Sequence, residues 1–135
     1  AIGLAQFKRY PELLRRRREI IKAYEDGFEN TKIKNLKHTG EGFIGSGHLF
    51  ITRVEGIEEE ERNRIIEKMA EAGIATNVHY KPLPMHTAYK ELGFDIKDYP
   101  NAYAFYKNEI TLPLHTLLKD KEIEYIIEEF KKAVV

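Results

Sequence analysis

The 135-residue chain has no cysteine, no tryptophan and only two methionines. Without cysteine there is no disulfide, no zinc–thiolate site and no thiol nucleophile, and the absence fits a reducing compartment. No apolar run approaches the ~18 residues that a bilayer span needs, and no signal-peptide pattern opens the chain. At this level the sequence reads as soluble and cytoplasmic. Net charge is also missing: 22 Lys and Arg balance 22 Asp and Glu. That balance argues against a protein built as a whole to coat nucleic acid or an anionic membrane. There is no P-loop. The five histidines, at 38, 48, 79, 86 and 115, include no pair at the i,i+4 spacing of a helical metal site, so a metal centre has no motif behind it. Ser46, between two glycines, lacks the strand–turn–helix context of a nucleophilic serine.

What is present is core material. Hydrophobic residues make up 42% and aromatics 11% of the chain, enough for one domain that buries about two-thirds of its unfolded surface. The chain opens in mid-pattern, with no Ser, Thr, Asp or Asn cap before the first helical residues. The expectation is a piece of a longer protein, cut inside or just before a helix. Residues 1–30 read as a long leading helix broken near Pro11, whose ring removes a donor and restricts its predecessor. Leu13, Leu14, Arg17, Ile20, Ile21, Tyr24 and Phe28 form its apolar stripe. Residues 1–40 carry 10 basic and 5 acidic groups; Arg15 to Arg18 fan around the helix, which favours a solvated face over a nucleic-acid site.

Residues 31–47 read as a Lys- and Gly-rich connection. Its formal G-x-G-x-x-G match, Gly40 to Gly45, has neither a strand before it nor a helix after it, and so is not a dinucleotide fingerprint. Residues 48–135 read as the α/β core. A β-branched and aromatic strand covers His48 to Val54. A helix from Ile57 to Ala72 follows, with acidic first turns and Gly73 as terminator. Ile74 to Val78 reads as a second strand, completing a βαβ-like unit. Asp98 is the expected cap of a helix running to Asn108. Glu109 to Leu114 is a third short strand, at a sheet edge or ended by its Pro, and Asp120 the expected cap of a last amphipathic helix. The fold class is α+β, a small sheet of about three strands flanked by helices.

The most reactive segment is His79-Tyr80-Lys81-Pro82-Leu83-Pro84-Met85-His86. It places imidazole, phenol and ammonium groups on one proline-stiffened loop after a strand, where a rigid scaffold often presents ligand-binding groups. The competing reading packs Tyr80 on the core and leaves His79 and Lys81 in solvent. Tyr99, Tyr103, Phe105 and Tyr106 form an aromatic cluster expected to serve packing rather than base stacking. His115 reads as a turn residue.

Taken in order, several blocks resemble the DegT/DnrJ/EryC1/StrS family of pyridoxal-phosphate-dependent sugar aminotransferases. They are Ala1-Ile2-Gly3-Leu4-Ala5-Gln6, Gly47-His48-Leu49-Phe50, Ala72-Gly73-Ile74-Ala75-Thr76, His79-Tyr80-Lys81-Pro82-Leu83 and Leu112-Pro113-Leu114. The resemblance covers the family's C-terminal small domain and the helix leading into it. It implies a fold type I transferase domain. It also implies a homodimeric parent that moves an amino group, usually from glutamate, onto a keto group of a nucleotide-linked sugar. Pyridoxal 5′-phosphate carries the nitrogen in such enzymes, bound through a lysine that lies upstream of these blocks. No catalytic, cofactor or metal residue is therefore expected in this chain, and the chain alone is expected to be inactive. By the same resemblance His79, Tyr80 and His48 border the substrate cleft. Pro84-Met85-His86 departs from the family's commoner continuation, which leaves substrate identity open. The alternative is a stand-alone ligand-binding or regulatory module of the same α+β class.

Overall fold

The computed structural model describes all 135 residues. Helix α1 (Ile2–Gly27) leads into two short pieces of sheet, β1 (Ile33–Asn35) and the hairpin β2 (Thr39–Gly40) and β3 (Phe43–Ile44). Strand β4 (Phe50–Val54) and helix α2 (Glu59–Glu71) come next, and then a long excursion carrying the short helices α3 (Thr87–Glu91) and α4 (Pro100–Tyr106). Strand β5 (Glu109–Leu112) and helix α5 (Asp120–Val134) close the chain. No helix is long and apolar enough to cross a membrane.

The main sheet has the order β1-β4-β5, antiparallel throughout. Its register pairs Phe50 with Leu112 and Thr52 with Ile110, so these side chains and Val54 share one face. Alternate residues of a strand point to opposite faces, which puts Ile51, Arg53, Glu109 and Thr111 on the other. The first face meets the core. Ile20, Ile21, Tyr24 and Phe28 of and just beyond α1, Ile65 and Met69 of α2, and Ile123, Ile126 and Phe130 of α5 pack there with Ile33, Phe50, Val54, Ile110 and Leu112. Phe50 has no solvent exposure; its ring lies 4.7 Å from that of Tyr24 and 5.5 Å from the stacked His38 ring. Burial pushes the Tyr24 phenol well above its ordinary range and holds the His38 imidazole below its own. The Tyr24 hydroxyl still finds a partner, donating to the Pro113 carbonyl at 2.8 Å.

The sheet of three strands agrees with the sequence reading, but its membership differs. The expected strand Ile74 to Val78 reduces to one bridge, Asn77 with Thr111. β1 takes the third place, inside what read as a connection. The bridge lies on the far side of β5 from β4, so the expected βαβ unit is split by β5. The break expected at Pro11 is absent, since α1 runs through it. Residues 1–12 are all exposed, so the Phe7 carbonyl that Pro11 cannot engage is left to water, which removes much of the penalty. Two caps also shift by a residue. α5 starts at Asp120 with Lys119 as its cap, the Lys119 amide donating to Glu122 at 2.7 Å, and α4 is capped by Tyr99 rather than Asp98. α2 ends as expected at Gly73, whose φ of +75° suits glycine. The Gly73 amide donates to the Ala70 carbonyl and the Ile74 amide to that of Met69, the paired closure of a Schellman turn that drops Ile74 into the core.

Candidate functional site

β5 organises the surface on which the chemistry-bearing loop sits. The chain leaves α2 through the Schellman turn and lies against the free edge of β5 at Asn77, which exchanges two backbone hydrogen bonds with Thr111, of 3.2 and 2.7 Å. The pairing stops there. The Asn77 side chain accepts the Val78 amide at 2.8 Å, and the His79 amide donates at 2.8 Å to the carboxylate of Glu109. His79 and Tyr80 follow, joined by a cis peptide bond, with their rings edge to face at 4.7 Å. The Tyr80 side chain stands out into solvent, 72% exposed. His79 is half-buried, and its Nδ1 is enclosed without a hydrogen-bond partner. Pro82 then opens a single 3₁₀ turn, Leu83–Met85. His86 closes the loop on itself, its Nε2 lying 3.3 Å from the Lys81 carbonyl.

Of the residues expected at the site, the structure brings His79 and Tyr80 together and keeps His48 apart. His48 is exposed and sits two residues before Phe50, at the Leu112 end of β5. His79 is held at the Glu109 end. Three residue steps along β5 separate those ends, roughly 10 Å at strand spacing. Gly47 fixes how the chain enters β4 beside His48. Its φ is +63°, and a Cβ there would stand 2.9 Å from Ile21 Cδ1. His115, in the turn after β5, is exposed, and its carbonyl accepts the Leu118 amide. Of the aromatic cluster only Tyr106 is buried, donating to Glu59 at 2.9 Å; Tyr103 and Phe105 are half-buried and Tyr99 is exposed.

Two charged residues were missed by the sequence reading. Arg62 is 1% exposed. Its guanidinium lies 4.7 Å over the Tyr106 ring, donates to the Tyr106 carbonyl at 3.2 Å and pairs with Glu59 at 3.5 Å. Glu109 has no exposure at all. Besides the His79 amide, its carboxylate accepts the Thr111 hydroxyl at 2.6 Å. Burial pushes the Glu109 carboxyl above its usual range, and the Thr111 and His79 donors pull it back. The available signal was an acid inside a strand that otherwise reads as buried.

A cavity of about 500 Å³ opens elsewhere, between the Gly73 turn, His115 and Tyr125 of α5, and neither His79 nor Tyr80 lines it. No group of three or more His, Asp or Glu is placed to hold a metal ion. Nor do the chain's residues fit a pyridoxal cofactor. Every lysine is exposed except Lys107, which is taken up by Glu58 at 2.5 Å; none is enclosed beside a carboxylate and an aromatic face. What the arrangement offers is a stiff lip, with a phenol and an imidazole side by side, able to hydrogen-bond hydroxyls or phosphate oxygens.

An antiparallel three-stranded sheet with α1, α2 and α5 packed on one face, α4 held to Arg53 of the other, and a polar loop clipped to its edge define a small α+β domain. The profile of the DegT/DnrJ/EryC1/StrS aminotransferase family matches residues 1–131, and the chain belongs to that family. Spr1654 of Streptococcus pneumoniae, assigned as a sugar aminotransferase and solved in apo, PMP and PLP forms, superposes with a TM-score of 0.96 at 59% identity. The match covers 98% of this chain and 33% of that apo chain. The dTDP-4-dehydro-2,3,6-trideoxy-D-glucose 4-aminotransferase of Saccharopolyspora spinosa is 31% identical over 99% of this chain and 33% of its own. The spore coat polysaccharide biosynthesis protein SpsC of Bacillus subtilis is 29% identical over 99% of this chain and 35% of its own. The chain thus spans about a third of the length of these relatives.

Proposed function

We propose that residues 1–135 are the small-domain portion of a cytoplasmic, homodimeric sugar aminotransferase. That enzyme transfers an amino group, from glutamate, to a keto group of a nucleotide-linked sugar. The family match over residues 1–131 carries this reading, and the PLP and PMP forms of Spr1654 support pyridoxal phosphate as the cofactor of the whole enzyme. When bound, that group supplies the electron sink and carries the nitrogen. By the family resemblance, its lysine and most of its phosphate ligands belong to the part of the parent upstream of these residues. Within the parent, the exposed first half of α1 joins the two domains, and the core of the small one, expected within residues 48–135, also takes in Ile20, Ile21, Tyr24, Phe28 and Ile33.

This chain contributes substrate binding. Tyr80 and His79 present a hydroxyl and an imidazole from one stiff lip, and these fit the hydroxyls and phosphate oxygens of a nucleotide sugar. His48 contacts the substrate only at the opposite end of the cleft.

Kinetics of the full-length protein with a dTDP-linked and a UDP-linked 4-keto sugar test the reading. A lost substrate hydrogen bond of about 1–1.5 kcal/mol corresponds to a KM rise of up to about tenfold. His79→Ala and Tyr80→Phe should each raise KM by that order with kcat little changed, and His48→Ala should raise it less. Unchanged KM in both His79→Ala and Tyr80→Phe would remove these residues from the substrate cleft.

A further inference from the structure

Asn77 and Thr111 form one antiparallel rung, and the next two residues along put His79 opposite Glu109. In a continuing ladder the His79 amide would donate to the Glu109 backbone carbonyl. That carbonyl instead faces the Arg62 guanidinium, at 3.5 Å. The His79 amide goes to the Glu109 side chain at 2.8 Å, and the Thr111 hydroxyl fills the other carboxylate oxygen at 2.6 Å. A side chain has replaced the backbone as acceptor at the point where the strand ends. Burying an acid without exposure is costly unless its oxygens are bonded, and both of these are. Each bond runs to the stretch 77–79 or to its partner Thr111. Nothing else in the chain holds the His79 amide.

We propose that Glu109 is a positioning residue for substrate binding, its buried carboxylate ending the ladder and fixing the His79 amide so that His79 and Tyr80 stand off the sheet edge in one orientation. The inference rests on the reading of His79 and Tyr80 as substrate contacts, and it adds the device that aims them. Charge-assisted hydrogen bonds to backbone amides are among the stronger ones available to a carboxylate. Removing the acceptor while keeping the volume releases the loop without opening a cavity. An amide in its place retains the function, because its oxygen accepts from His79 while its NH₂ donates to the Thr111 hydroxyl, which can accept as well as donate.

Hydrogen exchange and kinetics on the full-length protein decide it. In the unmodified protein the His79 amide should exchange about as slowly as the ladder amide of Thr111, and far more slowly than that of Lys81. Glu109→Leu should accelerate exchange at His79 and raise KM for the nucleotide sugar, each by about tenfold, the equivalent of one lost hydrogen bond, with kcat little changed. Glu109→Gln should restore both to within about threefold of the unmodified protein. The assignment is overturned if the His79 amide exchanges as fast as that of Lys81 in the unmodified protein, a measurement that needs no variant to fold. It is equally overturned if Glu109→Leu leaves exchange and KM unchanged, or if Glu109→Gln is as damaging as Glu109→Leu. Failure of the underlying reading looks different. His79→Ala and Tyr80→Phe would then leave KM unchanged while exchange at His79 still responded to Glu109→Leu, and the positioning role would lose its substrate.

Discussion

Phe50→Ala lowers the unfolding free energy of the chain by about 3–5 kcal/mol, the cost of emptying a fully packed aromatic site. Phe50 is where the two layers meet. Its ring is 4.7 Å from Tyr24 and 6.4 Å from Phe28, and His38 stacks on it from the hairpin side. Phe28 in turn meets Phe130 of α5 edge to face at 5.6 Å. Truncating Phe50 therefore loosens α1, α5 and the sheet together, and little nearby can collapse into the space. Urea unfolding of the 135-residue chain measures the loss. Leu117→Ala, at a side chain 83% exposed, should change stability by no more than about 0.5 kcal/mol. Equal effects at the two positions would mean that the aromatic cluster is not the core.

Arg62→Met costs about 3 kcal/mol although it introduces an apolar residue of similar length into a buried site. The guanidinium ties α2 to the end of α4 and the start of β5. Without it the Tyr106 and Glu109 carbonyls lose their buried donor, at about 1–3 kcal/mol for each group left unsatisfied. The partner Glu59 is partly exposed, so water recovers some of its share. Arg62→Lys should recover little, because an ammonium has neither the flat face for Tyr106 nor the separate nitrogens that reach the carbonyls through Nη1, Glu59 through Nη2 and Asn63 through Nε. Thermal unfolding of the three proteins checks the order. A stable Arg62→Met variant would show that the buried charge is dispensable, as some buried ion pairs are.

The parts of this fold that are legible in sequence are those whose signal is local. Ile65, Ile66 and Met69 mark the buried stripe of α2, Gly73 marks its end, and Ile123, Ile126 and Phe130 mark α5. Each follows from helical periodicity or from the backbone freedom of one glycine. β4 and β5 are dense in β-branched and apolar residues and were found within two residues. β1 was missed because its three residues include one apolar side chain, Ile33, and it exists only because β4 lies beside it. The converse holds for Ile74 to Val78, where strand propensity is good but the Glu109 side chain takes the His79 amide that a second rung would use. For the candidate site, the His79-Tyr80 pair was legible through its resemblance to a family motif, and its stiffness through Pro82 and Pro84. The separation of His48 was not, since it depends on a register set through β5. Nor was the link between His79 and Glu109, thirty residues apart in the chain.

Borohydride reduction of the natural full-length protein, followed by peptide mapping, tests most directly whether these residues are the substrate-binding third of a pyridoxal-phosphate enzyme. Reduction should fix a pyridoxyl group on one lysine, in a peptide upstream of Ala1, and leave every lysine of residues 1–135 unlabelled. A label on a lysine within residues 1–135 would contradict the division of labour between the two domains. No label anywhere, with pyridoxal phosphate supplied, would contradict the aminotransferase reading itself.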